Sequence, residues 1–235
     1  MEILPGIEIK NKALWIKRKK VLIIADLHIG YEQALVEEGI LVPRTMFKEI
    51  KKEIEELLKL NPKIVIINGD LKHEFSSISK QEWQETLELL DLLLKKAKVI
   101  LVKGNHDTIL EPIARKKNLL VKDFYCFDDV CVLHGHKFLL DAEIFSKKIK
   151  ILVIAHDHPA ISLSEGIKQE KYKCFLLGKY KDKKVIVMPS FLPFPEGADV
   201  KKEKMFSPFL KNVKNFDVFV LGDKVYYFGK VKDIE

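Results

Sequence analysis

Three runs of almost purely apolar residues, 21–25, 64–67 and 99–102, constrain this chain more than any other feature of it. Each is too short for a buried helix, rich in Val and Ile, and bounded by turn formers, as expected of a strand buried on both faces. Between the first two runs, Phe47, Ile50, Ile54, Leu57 and Leu58 recur at helical spacing among Lys and Glu from Thr45 onward, and Asn61-Pro62 ends the pattern. Between the second and third, Ser79 and Glu82 form a capping-box signal ahead of a helix whose inward stripe is expected to be Trp83, Leu87, Leu90 and Leu94. Strand alternating with helix predicts a parallel sheet with helices packed on it. Ahead of it, Ile7, Ile9, Ala13, Leu14 and Ile16 alternate around turns at Asn11-Lys12 and residues 18–20, which predicts an antiparallel lead-in.

After a short helix at 113–117 the pattern changes. Apolar runs at 124–127, 130–133, 152–155, 174–177 and 185–188 are separated by turns rather than long helices, which predicts a second, more antiparallel sheet packed against the first. Residues 189–197 read as a proline-rich loop, and 217–227 as a closing hairpin turning at Gly222-Asp223. No repeat and no linker interrupts the chain, so residues 1–235 are read as one domain.

Chemistry collects where these strands end. The first run stops at Asp26-Leu27-His28, the second at Asn68-Gly69-Asp70, the third at Gly104-Asn105-His106-Asp107; later runs stop at His134-Gly135-His136 and His156-Asp157-His158. In parallel sheets, ligands bind at the carboxyl ends of the strands. A single Asp there is ordinarily a cap or turn former, and a single Asn a turn residue. All seven histidines of the chain, His73 included, lie at or just beyond such ends, which scattered structural histidines would not do. The set offers imidazole nitrogens and hard oxygens without thiolate, a donor set for a pair of transition-metal ions. A bridging carboxylate would hold two ions roughly 3.5–4 Å apart, where they can clamp a phosphoryl group.

The ordered motifs resemble those of the calcineurin-like metallophosphoesterase superfamily: Asp-x-His, Gly-Asp, Gly-Asn-His-Asp or Glu, His, and Gly-His-x-His, over about residues 21–195. The resemblance implies a four-layer α/β/β/α sandwich of two mixed sheets flanked by helices. It implies Asp26, His28 and His158 as ligands of one divalent ion, Asn105, His134 and His156 of a second, and Asp70 as the bridge, with Mn²⁺ first and Fe, Zn or Ni as alternatives. His106 would protonate the leaving oxygen and Asp107 would orient it. Ala155 stands where the family usually has Gly, and its methyl is expected to be tolerated. Residues 26–32 and 69–75, Gly39 with Pro43, and Pro189-Ser190-Phe191 resemble the small archaeal and bacterial branch related to the SbcD nuclease subunit, which includes the PdeM proteins found alongside DNA ligase. That branch implies a phosphodiesterase or a DNA or RNA nuclease linked to repair, with a nucleic-acid substrate and a repair-protein partner. A phosphomonoesterase, a small-nucleotide phosphodiesterase and a non-catalytic metal-binding scaffold are the alternatives. His73 and His136 stand as substrate contacts or supports of the ligands, and Arg44 and Glu32 as residues able to reach the site mouth.

Forty-one Lys and Arg against 34 Asp and Glu give a net charge of +7, compatible with an anionic partner. Runs such as 17–20 and Lys201-Lys202 read as solvated faces, because no aromatic residues interleave them as a base-stacking surface requires. No apolar run approaches the roughly 20 residues that span a bilayer, and no signal-peptide pattern opens the chain. A cytoplasmic location follows as the expectation; Cys126 and Cys131 flank the Asp128-Asp129 turn and could face each other across a hairpin, but a reducing compartment favours free thiols there and at Cys174. Oligomeric state is left open.

Overall fold

In a computed structural model, which describes all residues except 43, 76, 166–167, 195–196 and 235, and the backbone alone of Glu165, the chain forms two mixed sheets packed face to face. Pro43, and residues 195–196 of the proline-rich loop, therefore lie outside the described residues.

The first sheet runs in sequence order: β1 (Glu2–Leu4), β2 (Ile7–Lys10), β3 (Ala13–Ile16), β4 (Val21–Ile24), β5 (Ile64–Asn68), β6 (Lys98–Val102) and β7 (Val121–Lys122). Pairing is antiparallel from β1 to β4 and parallel from β4 to β7. The crossovers carry α1 (Tyr31–Glu37) and α2 (Met46–Leu58), then α3 (Lys80–Leu94), then α4 (Glu111–Lys116). Of these, α1 was not visible in the sequence pattern.

The second sheet holds β8 (Phe124–Phe127), β9 (Val130–Leu133), β10 (Ile151–Ile154), β11 (Pro159–Glu165), β12 (Lys168–Tyr180), β13 (Lys183–Val187), β14 (Ala198–Asp199), β15 (Asp217–Leu221) and β16 (Val225–Lys230). Its order is β14-β11-β12-β13-β10-β9-β8, with β15 pairing both β12 and β16. The β11–β12 hairpin extends well beyond the short apolar run expected at 174–177, because its distal part is polar and exposed and carries no apolar signal.

Period-two alternation explains why the runs look wholly apolar. Leu22, Ile24, Val65, Ile67 and Leu101 face one way and meet Ile50, Ile54 and Leu57 of α2 and Leu89, Leu90 and Leu93 of α3. Ile23, Ile66 and Ile100 face the other way and meet Val132, Val153, Phe175 and Ile186 of the second sheet. That sheet's outer face is covered by Ile144, Ile149, Met205, Phe209 and Phe216, from turns and single-turn 3-10 helices. Lys183, buried, pins this cover by donating to the carbonyls of Ser146 (3.0 Å) and Ile149 (2.8 Å).

Two expectations are corrected. The buried stripe of α3 is Glu82, Thr86, Leu89, Leu90 and Leu93, with Trp83 and Leu87 at its margin and Leu94 exposed, so the helix is rotated from the expected face. Cys126 and Cys131 are not free thiols: the β8–β9 hairpin sets them directly opposite, with Cα atoms 4.0 Å apart, and they form a disulfide. Cys174 is the buried free thiol. No helix among the described residues is long and apolar enough to cross a membrane.

Phe175 is completely buried between the sheets, so Phe175→Ala should cost about 3–5 kcal/mol through lost burial and the cavity left behind. Urea unfolding checks this; a loss below about 1 kcal/mol would show that the interface collapses around the gap.

Candidate functional site

Register brings the strand-end motifs together. Ile24, Ile67 and Leu101 are partners across β4, β5 and β6, so the segments that follow them emerge along one edge. Backbone hydrogen bonds continue past the strands, from Asp26 N to Gly69 O (3.1 Å), His28 N to Asp70 O (2.9 Å) and Ile29 N to Leu71 O (3.0 Å). On the second sheet β9, β10 and β13 are parallel and in register, which aligns the turns after β9 and β10. Phe191 N donates to Ala25 O (2.9 Å), joining the two sheets at this end.

The side chains meet in three groups, of which one, His28, His73 and His106, is all imidazole and the other two contain a carboxylate. Of the two with a carboxylate, Asp26, His28 and His158 form the first and Asp70, His134 and His156 the second, the donor atoms of each lying within 4.8 Å of one another and able to hold a metal ion. In the first, His158 Nε2 lies 3.3 Å from His28 Nε2 and 3.4 Å from Asp26 Oδ2. In the second, His134 Nε2 lies 3.3 Å from Asp70 Oδ2 and 3.1 Å from Asn105 Oδ1, while its Nδ1 donates to Asn68 O at 3.1 Å and so turns Nε2 inward. Asp70 Oδ2 is also 3.9 Å from His28 Nε2 and 3.9 Å from His106 Nε2, which puts it between the groups. Buried Asp26 Oδ1 has no hydrogen-bond partner, an acceptor left open in a set of imidazole and oxygen donors that suits a divalent cation.

Backbone conformation is distorted to achieve this. Asp26, His28, Asp70, His156 and His158 all adopt left-handed φ values, between +44° and +75°, at roughly 1–2 kcal/mol each for a residue with a Cβ. Gly69 and Gly104 leave the necessary room: a Cβ on Gly69 would lie 2.1 Å from His134 Nδ1, and one on Gly104 2.0 Å from Asp70 Oδ1. Gly104 was expected only to turn the chain; its missing side chain also makes space for Asp70.

Residues 19–227 match the calcineurin-like phosphoesterase family. The chain belongs to that family. Among solved structures, the nuclease MPE of Pseudomonas putida is 18% identical with a TM-score of 0.66, covering 92% of this chain and 92% of that one, and shares the fold. The phosphoesterase Yfce of E. coli is 14% identical, TM-score 0.43, over 92% and 94% of the two chains, and Vps29 of Cryptosporidium parvum 18% identical, TM-score 0.38, over 89% and 97%.

Within this phosphoesterase the remaining candidates separate. His106 Nδ1 is anchored by the carbonyl of His73, its backbone N donates to Asp70 Oδ1 (2.8 Å), and Phe75 lies against its ring at 3.7 Å. Asp107 does not orient the His106 ring as expected: its buried carboxylate accepts from Leu71 N (3.1 Å) and Gly104 N (3.0 Å), tying the second and third motifs together. His73 and His136 stand half-buried at the rim, with His73 beside Tyr31 (4.7 Å between centroids) and His136 beside His134 (5.2 Å). Arg44 is exposed and donates to Gln33 Oε1 (2.8 Å), and Glu32 is buried, accepting from Met46 N (3.0 Å) and Gln81 Nε2 (3.2 Å). Both brace the helices rather than the histidines. Ala155 is fully buried between the sheets and donates to His134 O (2.9 Å), so its methyl is accommodated.

Sequence reasoning missed the part played by Glu82. It closes the capping box of α3, and Oε1 also accepts from His73 N (3.1 Å) and Glu74 N (2.9 Å). The cap thereby fixes the loop whose carbonyl holds His106. Nor does any signal in the sequence give the contact of Phe75 with the His106 ring.

Electrostatics divide the histidines. Burial pushes His28 well below the usual range, and the neighbouring His158 adds to the effect; burial likewise takes His73 and His136 to about 4, leaving neutral rings. Burial opposes charge on His134 too, but its hydrogen bond to Asp70 and the charges of Asp26 and Asp70 outweigh it and raise it to about 9. For Asp70 the same burial is overcome by the hydrogen bond and charge of His134, and its carboxyl stays well below the ordinary range.

A divalent ion taking His134 Nε2 must displace that proton, so affinity should rise with pH up to about 9 and flatten above it. Calorimetric Mn²⁺ titrations at pH 7.5, in buffers of different ionisation enthalpy, should report a released proton that His134→Gln does not release. Identical release from the variant would exclude His134 as its source. Separately, Glu82→Ala leaves Ser79 Oγ on the amide of residue 82 but removes the acceptor of Ser79 N (2.9 Å) and of the loop amides of His73 and Glu74, about 1 kcal/mol for each bond lost. Amide exchange at Glu74 should accelerate by at least about tenfold, the equivalent of ~1.4 kcal/mol, while His73 N keeps the carbonyl of Ile29 (2.9 Å) and changes less; unchanged protection at Glu74 would show the loop is held otherwise.

Proposed function

We propose that this protein is a dinuclear-metal phosphodiesterase. Asp26, His28 and His158 would hold one ion, Asn105, His134 and His156 the other, and Asp70 both, with Mn²⁺ as the working metal. The observation that carries the reading is the position of Asp70 Oδ2, within 4 Å of imidazole nitrogens of both donor groups and of His106. When bound, two such ions supply charge neutralisation at the phosphoryl oxygens and a water of lowered pKa.

The chain's own residues account for the rest. His106, fixed at Nδ1 by the His73 carbonyl, presents Nε2 to the site and gives its proton to the departing oxygen. Phe75 covers one face of that ring and limits its rotation and hydration. Neutral His73 and His136 offer hydrogen bonds to phosphoryl oxygens from opposite sides of the cluster without adding charge. Every donor the family pattern requires is present, from Asp26 through His158, which favours turnover over a non-catalytic scaffold. The branch resemblance favours a nucleic-acid diester and a repair context, including a repair-protein partner, over a phosphomonoester or small nucleotide.

With Mn²⁺ the protein should hydrolyse bis-p-nitrophenyl phosphate. His106→Ala should retain its metal by elemental analysis and lose about 10²–10³-fold in kcat on a dinucleotide. The loss should be smaller on bis-p-nitrophenyl phosphate, whose leaving group needs no proton. Equal losses on both substrates would remove His106 from the acid role and leave it a positioning one; no hydrolysis of any diester by the metal-loaded wild type would sink the phosphodiesterase reading.

A further inference from the structure

Apart from the histidine cluster, two cavities collect positive charge; in that lined by Lys17, Arg18, Lys19, Lys20 and Lys63, three of the cations are paired with Glu8, Asp128 and Asp129, which leaves the other. About 910 Å³ in volume, it is lined by residues from Val200 to Lys214 together with Val231 and Lys232. Lys201, Lys202, Lys204, Lys211, Lys214 and Lys232 line it against a single acid, Glu203, a local excess of five positive charges in a chain whose net charge is +7. All six lysines are exposed. Glu203 is already engaged, accepting from Asp199 N (2.8 Å) and lying 3.7 Å from Lys171 Nζ outside the cavity. Like charges gathered in a concavity repel one another and attract a polyanion strongly.

One wall of the cavity is built onto the histidine turns. Asp157, between His156 and His158, accepts from Phe206 N (2.5 Å) and Ser207 N (3.0 Å). Ser207 Oγ donates to the carbonyl of Gly135 (2.8 Å), between His134 and His136. The wall formed by Phe206 and Ser207 is therefore hydrogen-bonded to both turns that carry the second sheet's histidines. Phe206, which lines the cavity together with Lys204, is 79% exposed, a large aromatic ring open to solvent. The lysines of this segment, read from sequence as a solvated face without aromatics, thus share a concave surface with an aromatic platform.

We propose that this cavity is the seat of a single-stranded nucleic-acid substrate. The lysines grip its phosphodiester backbone, and Phe206 stacks on a base beside the histidine turns. Unstacked bases favour a single strand over a duplex, and the spread of six ammonium groups favours a chain of phosphates over one free phosphate. The inference rests on the phosphodiesterase reading above for its catalytic consequence, not for binding.

Fluorescence anisotropy of labelled 20-residue oligothymidylate with the full chain, without Mn²⁺ and over 50–200 mM salt, tests the binding directly. Lys211→Glu/Lys214→Glu/Lys232→Glu, all at exposed positions, should weaken binding at least tenfold and lower the log–log salt slope by about 2, at roughly 0.7 per lost phosphate contact. Phe206→Ala should weaken oligothymidylate about tenfold yet bind an abasic chain of equal length as the wild type does. With Mn²⁺, oligonucleotide cleavage by the triple variant should fall relative to its hydrolysis of bis-p-nitrophenyl phosphate. Wild-type affinity in the triple variant, tighter binding of duplex than of single strand, or equal loss on the abasic chain for Phe206→Ala would overturn the proposal. Failure of wild-type hydrolysis with intact strand binding would overturn the phosphodiesterase reading alone.

Discussion

Everything at the carboxyl ends of the strands depends on one buried carboxylate, that of Asp70. Its residue sits at φ +46°, where an ordinary side chain is disfavoured, and the space its oxygen occupies exists because Gly104 has no Cβ. His106 N donates to one oxygen, while imidazole nitrogens of His28, His106 and His134 surround the other within 4 Å. A buried charge survives only with such compensation, and here it comes from three separate motifs. Altering Asp70 would leave His134, raised to about 9 mainly by its bond to that carboxylate, without its counter-charge.

A second chain of contacts runs outward from the acid candidate to a helix cap. His106 is held by the His73 carbonyl, the amide of His73 by Glu82, and Glu82 by its place in the first turn of α3, where Ser79 closes the cap. Gly30, at φ +95°, completes the sequence: a Cβ there would meet the Glu82 side chain at 2.2 Å. A glycine directly after the first motif and a glutamate in a later helix thus serve one loop geometry. Rigid elements placing loop residues is the usual route to a preorganised site.

Much of this was legible in the sequence, for physical reasons that also explain what was not. Buried parallel strands must be apolar on both faces, so β4, β5 and β6 stood out, and polar residues just past them had no packing reason to be there. That the motifs converge was legible because successive buried strands lie side by side and their ends share an edge, whereas the grouping of Asp26, His28 and His158, and of Asn105, His134 and His156 about Asp70, rested on the family resemblance. What failed was whatever depended on rotation or loop path. The face of α3 was misjudged because Leu87, Leu90 and Leu94 compete with Leu89 and Leu93 for the core in a leucine-dense helix. The polar half of β12 had no periodic signal, and pairing alone orders it. Asp107 was assigned to the neighbouring imidazole by the family resemblance alone; its side chain turns inward to two backbone amides, which no pattern of residue types reveals. The disulfide was missed because compartment was allowed to outweigh hairpin geometry.

The two-sheet architecture follows from how the donor groups are divided. Asp26 and His28 come from the first sheet and His158 from the second; Asp70 and Asn105 come from the first and His134 and His156 from the second. Neither sheet holds either of these two groups complete, whereas His28, His73 and His106 all follow strands of the first, so the distances among the carboxylate-containing donor sets are fixed by how the sheets pack. That packing is the apolar layer of Ile23, Ile66, Ile100, Val132, Val153 and Ile186, locked at the site end by Phe191 N on Ala25 O and by His134 on the Asn68 carbonyl. Close-packed interiors resist small displacements, which is what a site needing donors within a few tenths of an ångström requires. Strain at five left-handed residues can therefore be maintained, because relieving any one of them would mean moving a sheet.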